Sequence, residues 1–344
     1  MSTHNPFAQT LNHLISGQDL SFEAMLNVMR QVMLGELTPA QIAAIFVALR
    51  IKGETVDEIV AAATVMRELS VKVNIADNSH LIDTCGTGGD GIQTFNVSTV
   101  SAFVAAAAGA KVAKHGGRSV SSTCGSADVL EALGVNVNVS PDQVALAVNT
   151  IGVGFMFAPN HHSAMKFAAP VRRELGVRTM FNVLGPLTNP ANAKRQVLGV
   201  FLPELTTKLA HVLKALGSEH VLVVNGADGM DEISFSGDTH VAELKDGVVT
   251  QYTVNPTQFG LNTHALATIQ VDNAASSKAM ILAVLSGAKI PARDIVLLNA
   301  GAAIYVAGLA ADLQTGIQKA AQVIDSGAAK QALTQLIAFS PANT

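Results

Sequence analysis

The stretch DTCGTGGDGIQTFNVST, residues 83–99, sets Gly86, Gly88, Gly89 and Gly91 beside an acid and several hydroxyls, directly ahead of an apolar helical run. Bare glycine backbone lets a phosphate approach closely. Asn96, Ser98 and Thr99 suit a helix N-terminus, where free N–H groups and the helix dipole favour an anion. No Gly-Lys-Ser/Thr closes the loop, so it is not the common nucleotide-triphosphate loop. It is not a dinucleotide-binding GxGxxG either, because Asp90 inside it would repel a bare pyrophosphate. An acid there suits a sugar hydroxyl or a metal-bound water. Taken alone, the glycines fit a plain tight turn better than a ligand site.

A second loop shifts that balance. KHGGRSVSSTCGSADVLEALG, residues 114–134, again runs from an apolar strand-like segment through glycines and hydroxyls into a helix. Lys114 and Arg118 supply positive charge, and Ser119, Ser121, Ser122 and Ser126 supply donors. Either cation alone reads as ordinary surface, whereas the pair within this loop favours an anion. Two such loops can lie side by side at the C-terminal edge of a parallel sheet, where ligands bind. In NGADGMDEIS, Asp231 and Glu232 follow a strand and a glycine turn. They are hard oxygen ligands of the kind Mg²⁺ takes together with substrate phosphates. His161 and His162 lack a zinc-like partner spacing. Arg172 and Arg173 can grip a carboxylate bidentately, although helical arginines are more often surface pairs.

These loops need a sheet behind them. The first seventy or so residues read as helices only. Thr38-Pro39-Ala40-Gln41 and Thr55-Val56-Asp57-Glu58 are capping boxes, each followed by apolar residues at helical spacing. From about residue 80, short apolar runs alternate with helical stretches; LID, KVAKHG, VNVNV, RQVLGVF and HVLVVNG are the expected strands. Ser140-Pro141-Asp142-Gln143 opens another helix. HVAELKDGVVTQYTV, turning at Asp246-Gly247, reads as a hairpin insertion. The fold class is therefore α/β, a small all-helical N-terminal domain plus a large α/β domain with a mostly parallel central sheet buried on both faces.

Bulk properties exclude other classes. The 344 residues are 49% apolar and 14% charged, with a net charge of −4. Such a chain buries a large core and has no broad electrostatic reason to bind nucleic acid or an anionic membrane. IVLLNAGAAIYVAGLAA, residues 295–311, is nearly long enough to span a bilayer, but Asn299 and the charged edges make it a buried core helix. The N-terminal residues show no secretory pattern. Cys85 and Cys124 form neither a metal spacing nor a disulfide framework, so a cytoplasmic setting is expected.

The motifs taken together, GTGGD followed by NVST, KHG-x-R-x-VSS with GSADVLEALG, PVRRELGVRTMFNVLGPLTNP and DGMDE, occur in this order along nearly the whole chain. In this the chain resembles the anthranilate phosphoribosyltransferase family, enzymes of tryptophan biosynthesis. The resemblance implies a helical domain over residues 1–73, to which part of 170–190 returns, and a large α/β domain over 77–340. It implies a homodimer joined through the helical domains, with the active site in the cleft between the small and large domains. It assigns Gly86, Gly89, Asp90, Thr94, Asn96, Val97, Ser98, Thr99, Lys114, Gly116, Gly117, Arg118, Ser119, Ser121, Ser122 and Ser126 to phosphoribosyl pyrophosphate. Ser98, Asp231 and Glu232 would hold Mg²⁺. Gly86, His115, Gly117, His162 and Arg172 would approach anthranilate, with Arg172 facing its carboxylate.

Two departures from the family pattern stand out. Gly117 replaces an asparagine that contacts anthranilate in the family, and Thr123-Cys124 replaces Lys-Ser. A lost polar contact costs about 0.5–1.5 kcal/mol, which weakens acceptor binding without abolishing activity. The residues offer no nucleophile–base pair, so charge stabilisation, with Lys114 as its main protein cation, is the expected catalytic principle. The rival readings are a pyrimidine nucleoside phosphorylase-like enzyme and a nucleic-acid-binding paralogue of the same fold; DGMDE and NVST disfavour the first and the acidic balance the second.

Overall fold

The computed structural model describes residues 6–118 and 124–340. The chain divides into two compact units, one formed by the chain up to Ser70 with His162–Thr188, the other by Val71–His161 with the chain from Asn189 onward.

The first unit is helical. Helices α1 (Pro6–Ile15), α2 (Phe22–Leu34), α3 (Pro39–Lys52) and α4 (Val56–Glu68) pack α1 on α3 and α2 on α4, and helices Ala168–Leu175 and Phe181–Leu184 join them. Both expected capping boxes form. Thr38 and Thr55 accept from the amides of Gln41 and Glu58, whose side chains accept the Thr38 and Thr55 amides in return. Each such cap is worth about 1 kcal/mol. The buried faces carry Met25, Met29, Val32, Ile42, Ile45, Phe46, Leu49 and Ile59, and the Phe46 ring lies 4.7 Å from that of Phe181. Glu58 is fully buried, and Lys52 Nζ (2.9 Å) together with the Leu20 and Thr55 amides (2.9 and 2.8 Å) compensates its charge.

The second unit is built on a seven-stranded sheet of β1 (Leu81–Gly86), β2 (Lys111–Gly116), β3 (Val153–Phe157), β4 (Arg195–Gly199), β5 (His220–Gly226), β6 (Thr239–Lys245) and β7 (Val248–Val254), ordered β3-β2-β1-β4-β5-β6-β7. The five strands β1 to β5 pair in parallel, whereas β6 and β7 are antiparallel. Helices α5 (Val97–Ala107) and Pro291–Val306 cover one face, in a core with Ile82, Val112, Val197 and Leu222. Val73, Leu81, Ala113, Val144, Val148 and Met156 form the core of the other face, the last valines from helix α7 (Pro141–Ile151), which follows α6 (Ser126–Leu133). Burial on both faces is why β5 is buried at every position and reads as a continuous apolar run.

Two local expectations change. VNVNV, residues 135–139, is not a strand of the sheet. Val135 and Val137 are buried, but the Asn136 amide donates to Ser340 O and that of Asn138 to its neighbour Asn136. Burial alternates there without a ladder. The strand expected in that region is β3 instead, a buried VGFMF run separated from α7 by Gly152 alone. The hairpin turns at Asp246-Gly247, both at positive φ (51° and 75°), but it extends the main sheet by pairing along β5. Residues 291–306 form a helix buried along nearly all its length, and among the described residues no helix is long and apolar enough to cross a membrane.

The chain leaves β1 toward β2 and β3 on one side, and returns through β4 toward β5 on the other. Loops after the adjacent strands β1 and β4 therefore diverge at the carboxyl edge, and a crevice opens there.

Candidate active site

Residues 86–97 leave the end of β1 at that switch point. Gly88, Gly89 and Gly91 all have positive φ (64°, 75° and 78°), a conformation side chains with a Cβ rarely adopt. The glycines thus have a backbone reason in addition to any ligand. Thr94 bridges Gln270, and Phe95 anchors the loop in the core.

Asn96 is the N-cap of α5, yet it makes no side-chain cap. Its amide side chain is occupied elsewhere, donating to Cys124 O (3.1 Å) and accepting from Ser277 Oγ (2.7 Å). Asn96 therefore leaves the start of the helix without its side-chain cap, and the Ser98 amide favours the charged form of Glu232. Val97 is buried in the core, so only its backbone can face a ligand.

Lys114, near the end of β2, is buried. Its Nζ donates to Thr84 O (2.5 Å) and Ser98 Oγ (3.1 Å), which ties β2 to the first turn of α5. Burial lowers the Lys114 pKa below its ordinary 10.5, against the opposing charges of Asp83, Glu232 and Asp231. His115 is buried in the same strand, and its amide donates to Asp83 Oδ1 (3.2 Å). Gly116 lies against Phe155 and Ser126, where an added Cβ would meet atoms at 3.1–3.3 Å. Among the described residues, no heavy atom lies within 4 Å of the position a Cβ on Gly117 would take, and the Gly117 carbonyl accepts from the Ala127 amide. Arg118 is turned toward α6. It pairs with Asp128 (3.0 Å) and Glu131 (2.6 and 2.8 Å) and stacks over Phe157. In this arrangement its charge is already matched. Ser126 opens α6. The expected ligands Ser119, Ser121 and Ser122 lie outside the described residues.

The turn after β5 brings Asp231 and Glu232 to the same edge. The Gly88 amide donates to Asp231 Oδ2 over 2.7 Å. Burial, and then the charge of Asp90, raises the Asp231 pKa; burial and Asp231 itself raise that of Glu232. Close approach is built in, since a Cβ on Gly199 would fall 1.5 Å from the Asp231 carbonyl oxygen and one on Gly86 would fall 2.3 Å from its carboxylate.

This surplus of negative charge, hard oxygens beside a lysine and a helix N-terminus, fits a divalent cation carried in with a diphosphate. Among the described residues no three His, Cys, Asp or Glu side chains form a metal cage by themselves, and a cation sharing its shell with phosphate oxygens needs none.

His162 and Arg172 belong to the helical unit. His162 is buried; Arg172 is half-buried over the Phe181 ring (5.5 Å), and burial lowers its pKa. His161 belongs to the α/β unit, where its Nδ1 meets Val71 O at 2.9 Å, a structural role. Arg173 is exposed.

Sequence reasoning passed over several residues that build this edge. Asp83 and Thr84 hold β2 and Lys114, Ser277 holds Asn96, and Gly199 makes room for Asp231. No spacing signals them, because each acts across the sheet on a residue far away in the chain.

Comparisons with known proteins agree with this geometry. Residues 8–70 match the helical bundle domain of a glycosyl transferase family, and residues 78–330 match its a/b domain. The anthranilate phosphoribosyltransferase of Methylobacillus flagellatus is 65% identical over 96% of this chain and 97% of its own, and that of Thiobacillus denitrificans 60% identical over the same shares. The crystal structure of the Thermus thermophilus enzyme superposes with a TM-score of 0.91 at 43% identity, covering 96% of this chain and 98% of that one. The Saccharomyces cerevisiae enzyme in complex with PRPP and Mg superposes with a TM-score of 0.87 at 28% identity, covering 98% of both chains. With motifs, sheet topology and relatives in agreement, the chain belongs to the anthranilate phosphoribosyltransferase family of glycosyltransferases.

Proposed function

We propose that this chain transfers the phosphoribosyl group of 5-phosphoribosyl 1-pyrophosphate to the amine of anthranilate, giving N-(5-phosphoribosyl)anthranilate and pyrophosphate, in tryptophan biosynthesis. The observation that carries this reading is the meeting of buried Lys114 with Ser98 at the start of α5, beside the carboxylates of Asp231 and Glu232. It joins a diphosphate-binding helix start to an acidic pair suited to a divalent cation. The named relatives favour the transferase over a nucleoside phosphorylase.

Ser98, Asp231 and Glu232 are the proposed Mg²⁺ ligands, and the bound cation supplies neutralisation of the diphosphate's charge. Gly86, Gly89, Asp90, Thr94, the segment Asn96 to Thr99, Lys114, Gly116, Gly117 and Ser126 are the proposed contacts of the donor. As its anomeric bond to pyrophosphate breaks, positive charge develops on the ribose and negative charge on the leaving group. Lys114 and the helix starts stabilise the latter without reorganising. Arg172 is the proposed ligand of the acceptor's carboxylate, and Gly86, His115, Gly117 and His162 are its other proposed contacts; the amine attacks the sugar face opposite the departing diphosphate. The nitrogen loses its proton after the new bond forms, to water or a weak base. No covalent enzyme intermediate is needed.

Arg118 serves the donor only if it leaves Asp128 and Glu131, and this reading assigns it that exchange. A homodimer formed through the helical unit, working in the cytoplasm, completes the reading. Exposed Ile15, Leu34 and Ile51 in α1 to α3 supply apolar surface for it.

The test is loss of anthranilate fluorescence in the presence of phosphoribosyl pyrophosphate and Mg²⁺, beside thymidine with phosphate. Turnover of the second pair and none of the first would reverse the assignment. Light scattering on the eluting peak of a sizing column reports the dimer.

A further inference from the structure

Asn299 is a buried amide in an otherwise apolar helix, Pro291–Val306, at 3% exposure. An amide in such surroundings is destabilising unless its polar atoms are all matched. Here they are. Oδ1 accepts the Ile233 amide (2.9 Å), while Nδ2 donates to Ile233 O (2.9 Å) and to Ile295 O (2.9 Å). The side chain therefore pairs with the backbone of residue 233 as a neighbouring strand would, immediately after Glu232.

The other end of the same turn is fixed by Asp228. Its Oδ1 accepts the Met230 amide (3.1 Å), and its Oδ2 accepts both Ser234 Oγ and Ser236 Oγ (2.5 Å each). The Gly226 amide closes the turn onto Met230 O (2.9 Å). Asp231 and Glu232 thus sit between two clamps, neither of which includes a proposed metal or substrate ligand.

We propose that Asn299 and Asp228 are positioning residues that hold Asp231 and Glu232 at the sheet edge, and so set how tightly the divalent cation binds with its diphosphate. The inference rests on the functional reading above and names the part of the fold that regulates the affinity of that site. A carboxylate pair on a free turn would have to be ordered at each binding event. One clamped on both sides is ordered beforehand, which is why partners behind a metal's ligands change affinity by about 10- to 100-fold.

The experiment measures Mn²⁺ binding by electron paramagnetic resonance, with phosphoribosyl pyrophosphate present, for the wild type, Asn299→Leu and Asp228→Asn. Ile324→Ala, a core variant in a different helix, serves as the stability-matched control. We expect both clamp variants to bind Mn²⁺ about 10-fold or more weakly, with the control at wild-type affinity. Equal weakening in the control assigns the effect to general stability and overturns the inference. Wild-type affinity in Asn299→Leu overturns it too, while leaving the functional reading intact. Absence of binding by the wild type sinks that reading, and the inference with it. Should Asn299→Leu not fold, Asp228→Asn decides the matter on the same terms.

Discussion

Gly88 and Asp231 are 143 residues apart in sequence, yet the Gly88 amide donates to Asp231 Oδ2 across 2.7 Å. This bond joins the loop after β1 to the turn after β5 at the carboxyl edge of the sheet. It exists because β4, which lies between those strands, ends in a glycine, and the turn can pass over it.

Adding a methyl group at the two glycines beneath Asp231 should have different consequences. In Gly199→Ala the new atom meets backbone, 1.5 Å from the Asp231 carbonyl, so we expect a stability loss of about 3 kcal/mol or more. In Gly86→Ala it meets the end of a side chain, which can swing away. That variant should fold with a smaller loss and bind the metal–diphosphate complex more weakly. Denaturant titration of both, with Mn²⁺ binding for the second, checks this; equal destabilisation would contradict it.

Lys114→Ala and Arg172→Ala should separate kinetically. Removing the buried lysine takes away charge stabilisation of the leaving group, and kcat should fall by roughly 100-fold. Removing the arginine takes away a charge-assisted bond to the acceptor, and the KM for anthranilate should rise by about 10-fold or more with a smaller change in kcat. Steady-state kinetics decides, and the opposite split would exchange the two roles.

Among the described residues, nothing lies within 4 Å of the place a Cβ on Gly117 would take. Gly117→Asn should therefore be accommodated, and a new polar contact worth about 0.5–1.5 kcal/mol should lower the KM for anthranilate by roughly 2- to 12-fold. An unchanged KM would mean that the amide does not reach the acceptor.

In the helical unit, Lys52→Met should destabilise by about 3 kcal/mol. It leaves Glu58 fully buried without its cation, because Lys52 Nζ is the charged partner at 2.9 Å. Urea titration followed by circular dichroism measures the loss. Replacing both residues, Lys52→Met with Glu58→Leu, should recover part of it if the buried charge is the cause.

Glu243 predicts an acid dependence. Burial tends to raise its pKa, but hydrogen bonds from His220 (2.9 Å), Tyr305 (2.7 Å) and Tyr252 (2.9 Å) hold it below the ordinary 4.5. The unfolded carboxylate then binds protons more readily than the folded one. Its contribution to stability is complete above about pH 5 and is lost as pH falls through the folded value. The slope of unfolding free energy between pH 3 and 5 should be shallower in Glu243→Gln than in the wild type, and identical slopes would remove Glu243 from the account.

Much of this architecture was legible from local chemistry. Capping boxes act within four residues, so Thr38, Thr55 and Ser140 marked their helices correctly. A parallel sheet buried on both faces favours short apolar runs, which marked β2, β4 and β5. The motif order pointed to the family. The same logic misjudged residues 135–139, where the alternation of Val135 and Val137 with polar neighbours copies a strand, and it passed over β3, which only Gly152 separates from α7.

What the amino-acid order determined on its own was therefore most of the elements, the fold class and the chemical character of the loops, since propensity, capping and hydrophobic period act over neighbouring residues. What the tertiary structure alone decided was which groups meet. Arg118 faces Asp128 and Glu131, Asn96 is held by Ser277 instead of capping its helix, and Asn299 grips the turn that presents Asp231 and Glu232. Those contacts join residues from 10 to 181 positions apart, beyond the reach of capping and hydrophobic period, and no local spacing encodes a distance that only packing creates.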